Sequence, residues 1–75
     1  MENVCIVCEQ GWIIKGKATG KRGSLREASV VRKWENGKGI GGITKVENKD
    51  EYILDHIGDV IINPDKILFV IPCEW

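Results

Sequence analysis

The sequence predicts a mainly β fold, either a small SH3-like barrel or a curled antiparallel sheet of five to six short strands with at most one short helical turn. Three observations carry this prediction. Short β-branched apolar runs recur along the chain, each nearer to strand than to helix length. Glycine-rich or polar turn signals separate them. Pro64 opens a tight turn just before the last apolar run, where a single turn of 3₁₀ helix fits.

The elements follow in order. Asn3-Val4-Cys5-Ile6-Val7-Cys8-Glu9 is apolar and β-branched, and reads as a buried strand. Gly11 punctuates it, and Trp12-Ile13-Ile14-Lys15 starts a second strand that runs to about Ala18. Thr19-Gly20-Lys21-Arg22-Gly23 is a turn with two glycines for positive φ. Leu25 to Trp34 is a third strand. The spacing of Leu25, Ala28 and Val31 would also suit a short helix, but Ser29-Val30-Val31 and the flanking glycines favour a strand.

Asn36 to Gly42 holds four glycines in seven residues, so this stretch is an irregular loop that Ile40 and Ile43 pin to the core. Glu47 to Asp50 is a polar turn. Glu51–His56 and Asp59–Ile62 read as two strands parted by Gly58, and Ile67–Ile71 as a last strand buried on both faces. Closure would bring the first and last strands together and hide their edges.

Composition bounds the rest. Residues 1–75 make one small β domain, with a core thin enough to gain from a partner subunit. Hydrophobic residues at 43% and charged residues at 29% are globular values, which excludes disorder as the default. No apolar run approaches the roughly 18 residues of a membrane span. The start Met1-Glu2-Asn3 lacks a basic and apolar leader, so a cytoplasmic protein is expected. The odd count of three cysteines argues against a disulfide framework.

Charge is unevenly spread. Residues 1–45 carry nine Lys/Arg against four Glu, and residues 46–75 carry two Lys against seven Asp/Glu. The two halves can pair internally as neighbouring strands. They can equally present a basic face to an anionic ligand and an acidic face to a second copy of the chain.

Glu27-Ala28-Ser29-Val30-Val31-Arg32-Lys33-Trp34, the glycine loop after it, the opening Val4-Cys5-Ile6-Val7 and the ending Phe69-Val70-Ile71-Pro72-Cys73 form a pattern. It resembles a family of small uncharacterised proteins of bacteriophages and prophages. The chain departs from that pattern at Val31-Arg32, where two adjacent Arg are usual, and at Glu35-Asn36, where a second aromatic is usual. The resemblance implies a phage accessory protein in the host cytoplasm and brings no activity with it.

Cys5-Ile6-Val7-Cys8 is a C-x-x-C, and with Cys73 and His56 it supplies four zinc ligands in number. On a strand, residues i and i+3 point to opposite faces, so a shared metal is a minor option and no metal or cofactor is expected. Gly11 to Ala18 matches most of a P-loop, but it lacks the final Ser/Thr and its loop is an apolar strand. Gly37 to Gly42 matches G-x-G-x-x-G without room for a βαβ unit. His56 has Asp55 beside it, yet strand neighbours face opposite sides, and Ser24 and Ser29 lack a base. No catalytic constellation emerges, and a non-enzymatic protein is expected.

The basic and aromatic set is the strongest functional signal. Arg26, Arg32, Lys38 and Lys17 can hold phosphates, Gly39 and Gly41 can lend backbone N–H groups, and Trp12 or Trp34 can stack a base. The expected function is binding, and in counter-defence sequestering, a small phosphate-bearing ligand of nucleotide type. A homo-oligomer is expected, with the acidic C-terminal half and Trp75 near its interface. The alternatives are an inhibitor or adaptor that docks on a host protein, and a nucleic-acid-binding barrel. Zero net charge weakens the last.

Overall fold

The computed structural model describes residues 2–75. Five antiparallel strands form a single curled sheet: β1 (Asn3–Cys8), β2 (Ile13–Ala18), β3 (Ser24–Trp34), β4 (Tyr52–Ile61) and β5 (Ile67–Pro72). Their order is β4-β3-β2-β1-β5, so β1 and β5 do lie together. The sheet does not close into a barrel. β4 and β5 remain as its two edges. None of the helical segments among the described residues is long and apolar enough to cross a membrane.

The unbroken apolar run of β1 is explained by burial on both faces. Val4, Ile6 and Cys8 enter one core with Leu25 and Ala28. Cys5, on the opposite face, enters a second core with Val31, Ile43 and Tyr52. Two short 3₁₀ segments, Ile40–Thr44 and Val46–Glu51, and the tail at Cys73 and Trp75 contribute to this second core. The glycine loop is therefore pinned by Ile43, which is fully buried, and Ile40 packs beside it.

Local backbone chemistry sets the curl. Gln10 (φ 64°) and Gly11 (φ 83°) give the β1–β2 turn two successive positive φ values, the pattern of a type I′ hairpin. In β3, Glu27 takes φ 51° and the register shifts between Leu25 and Ala28. This bulge bends the strand and increases its twist. Asp59 holds the strained residue by accepting from the Glu27 N–H at 3.1 Å.

Three expectations need correction. Glu51–His56 and Asp59–Ile62 are not separate strands. β4 runs through Gly58, whose φ of 88° accommodates a register shift opposite Ala28 and so continues the ladder. β5 is not buried on both faces, because its outer edge is unpaired and Leu68, Phe69 and Val70 are each about half exposed. Trp75 is not left in the open for a second subunit to cover. Its indole donates to the Ile43 carbonyl at 2.7 Å and packs in the second core.

The second core also sets a pH dependence. Burial pushes the Cys5 thiol up to about 12 from an ordinary value of 9.0, with nearby Cys73 adding to the shift. Below pH 9 the thiol is protonated whether the chain is folded or not. Above it, the unfolded chain ionises first, so stability is present below pH 9 and is lost as pH rises towards 12. Each pH unit in that window costs about 1.4 kcal/mol. Denaturant titrations under reducing conditions at pH 8 to 11 are expected to show this slope, flattened in Cys5→Ala. An unchanged slope in that variant would assign the alkaline loss to other groups.

Candidate functional site

The β1–β2 turn and the end of β4 bound an open cleft of about 370 Å³. Cys8, Ile14, Val60 and Ile62 form its apolar floor, because they belong to or pack against the first core. Trp12, Ile57 and Ile61 stand at its mouth, exposed by 57%, 46% and 75%. Exposure of an indole this large, next to two exposed isoleucines, forfeits several kcal/mol of burial that a monomer could have gained. Polar groups edge the cleft at Glu9, Gln10, Asn63 and Lys66. Lys66 reaches Glu9 at 3.5 Å across it.

The strained residue of the turn belongs to this site. Gln10 adopts a left-handed conformation that costs an ordinary L-residue roughly 1–2 kcal/mol, and it lines the cleft. Strain held in place at a cavity is characteristic of functional positions. In volume and lining, the cleft matches sites for small molecules with flat or apolar bodies.

Apart from Trp12, the ligand-binding residues singled out in the sequence do not line this cleft. Arg32 is paired with Asp55 across β3 and β4. Lys38 is held by Glu51 at 3.0 Å and by the Asn48 side-chain oxygen at 2.9 Å. Hydrogen bonds from Lys38 and then Asn36 hold the Glu51 carboxyl below its usual range. Trp34 packs on Tyr52 with ring centroids 5.8 Å apart. The glycine loop turns its carbonyls onto its own side chains: Gly39 accepts from the Tyr52 hydroxyl, Gly41 from Thr44 and Gly42 from Asn48. It is built as a brace for the second core. Lys17 pairs with Glu27 and stands directly opposite Arg26 on the sheet. Among the described residues Arg26 has no carboxylate within ion-pair distance.

Charge asymmetry is thus met in part by internal pairing. Arg32–Asp55, Lys38–Glu51, Lys45–Glu74 and Glu9–Lys66 each link the first half of the chain to the second. Pairs this exposed are worth little individually.

A second, more polar recess of about 250 Å³ is lined by Asn3, Lys15, Lys17, Glu27, Ser29 and Trp75, among others. Lys15 is 6% exposed. Its ammonium lies 3.9 Å from the centre of the Trp75 ring and donates to the Trp75 main-chain oxygen. Burial lowers its pKa, partly countered by Cys73 and Cys5.

The zinc option does not assemble. Cys8 lies in the first core and Cys5 and Cys73 in the second, while His56 is exposed on β4. Among the described residues no group of three or more His, Cys, Asp or Glu is arranged to hold a metal.

No protein-family model, curated protein or solved structure matches the chain. Site assignment therefore rests on geometry. Of the cleft, only Trp12 was legible as a candidate. The isoleucines do not stand out in the linear chain, although β4 carries apolar residues on both parities (Ile53, Ile57 and Ile61, but also Leu54 and Val60), more than a half-buried strand needs.

Proposed function

We propose that this protein is a non-catalytic binding module whose cleft takes the flat, largely apolar ring of a small ligand. The observation that carries this reading is the exposed Trp12 indole at the mouth of an apolar cleft of about 370 Å³. The ring would stack on Trp12 and rest on Ile14 and Ile62, while Gln10 and Asn63 offer polar partners to its edge. A nucleobase has this form. The resemblance to phage proteins accords with an accessory protein that holds a nucleotide signal out of circulation in the host cytoplasm.

Calorimetric titration with nucleosides and their phosphorylated forms tests the proposal. Binding of ring-bearing compounds is expected, with Trp12→Ala weakening it roughly 5- to 150-fold, the worth of one stacked base. No binding across the panel, or binding indifferent to Trp12→Ala, would sink it.

A second reading puts a phosphate-bearing ligand at the polar recess. It is favoured by Lys17 and the buried Lys15 lining that recess together. The same titrations separate the two. Affinity that depends on the phosphate and falls in Lys17→Ala, while Trp12→Ala binds normally, would move the site there.

A further inference from the structure

At the rim of the cleft, the fold has already committed part of the hydrogen-bonding capacity. Asn63 lines the cleft, and its side-chain oxygen accepts the Asp65 N–H at 3.0 Å. That bond fixes which way round the amide stands. The oxygen is turned back onto the chain, and the NH₂ group, on the other side of a planar amide, is turned away from it. Among the described residues no oxygen accepts from this NH₂. Asn63 is exposed, so water serves the group in the free protein and a ligand can take water's place.

The other polar groups add donors more readily than acceptors. Glu9 is the one carboxylate lining the cleft among the described residues, and its charge is met by Lys66 at 3.5 Å. The Lys66 ammonium has three N–H donors, more than one carboxylate contact uses. Gln10 can donate or accept, so it does not discriminate.

We infer that the ligand presents a hydrogen-bond acceptor to Asn63, so that the cleft selects rings with a keto group at the edge over the matching amino rings. This rests on the cleft being a site for flat rings, and it names the class: uracil or hypoxanthine in kind, before cytosine or adenine. An amino group at that edge would set donor against donor. Turning the amide over would not relieve this, because the Asn63 oxygen also caps the Pro64–Lys66 turn and would have to release it. Shape decides nothing here, since keto and amino groups are nearly the same size.

Calorimetric titration of the full chain with two matched pairs, uridine against cytidine and inosine against adenosine, tests it. Within each pair the ring edge differs by a keto group for an amino group and by the proton on the adjoining ring nitrogen. The keto member is expected to bind roughly 2- to 12-fold more tightly, the worth of one hydrogen bond. Asn63→Asp keeps an oxygen for the Asp65 N–H, and with it the cap, but turns an acceptor to the cleft in place of the NH₂. In that variant the preference is expected to vanish or reverse, with circular dichroism checking that the fold is kept. The wild-type comparison stands without the variant. Binding that needs Trp12 but shows no keto preference would overturn the inference and leave the ring-binding reading in place. A keto preference unchanged by Asn63→Asp in a folded chain would do the same. No binding of any of the four nucleosides would overturn both.

Discussion

Gly23→Ala is expected to destabilise the fold by at least about 3 kcal/mol, close to the largest effect of any single methyl group in this chain. Two costs add at this position. Gly23 has φ +81°, where an L-residue is strained, and a Cβ there would run into the carbonyl oxygen of Ile62. That carbonyl belongs to backbone, so no side-chain rotation relieves the clash. The approach is close for a reason: the Ile62 N–H donates to the Gly23 oxygen at 2.7 Å, tying the β2–β3 turn to the end of β4. For a domain of this size, 3 kcal/mol corresponds to a fall of roughly 12–24 °C in Tm. Gly20→Ala is the internal control. It has a similar φ of +92° with open space around it, so it reports strain alone, about 1–2 kcal/mol. Equal melting temperatures for the two variants would mean that the β4 end yields without cost.

Trp75→Ala is expected to cost about 2–4 kcal/mol. The indole covers the second core, donates to Ile43 and lies against the ammonium of Lys15. Its loss removes packing, a hydrogen bond and a cation–π contact worth about 0.5–2 kcal/mol. It also opens Lys15 to water. The lysine is thereby rehydrated, which returns part of the loss. Lys15→Met is therefore expected to be less damaging in the Trp75→Ala background than in the wild type, or to show the opposite sign. A double-mutant cycle by urea denaturation reads the coupling directly. Simple additivity would show that the two residues do not interact, and a Tm unchanged by Trp75→Ala would show that the tail is not packed.

Much of this architecture can be read from the residues, and the failures have identifiable causes. The strands at Asn3–Cys8, Ile13–Ala18 and Ser24–Trp34 are signalled by β-branched runs between turn residues, and Pro64 marks its 3₁₀ turn. Gly58 reads as a breaker because a glycine in a strand signals either an end or a bulge, and only the partner strand decides which. The run Ile67–Ile71 reads as interior because composition reports apolarity and not position. An apolar strand at an open edge looks the same as one in the middle of a sheet.

The site was harder to read than the fold. Lys17, Arg32 and Lys38 form a conspicuous basic series in the linear chain, yet each meets a carboxylate. Two of those, Asp55 and Glu51, lie 23 and 13 residues further along. Lys15 gave no sign of burial, because the group that shelters it, Trp75, lies at the far end of the sequence. Trp12 was visible as a candidate. The cleft beside it arises from the approach of the β1–β2 turn to the end of β4, which no local pattern encodes.

The double-sided burial of β1 bears on how the chain is made. Its inner partner, β2, is a hairpin away, but its other neighbour is β5, and the Cys73 N–H closes onto the Asn3 oxygen at 2.8 Å. On the ribosome, β1 must wait with one side uncovered until β5 has left the tunnel. Pairing over so long a separation also makes refolding slow relative to a helical chain of equal length. In pulse-labelled refolding, the amides that β1 directs to β5 should therefore be among the last to become protected.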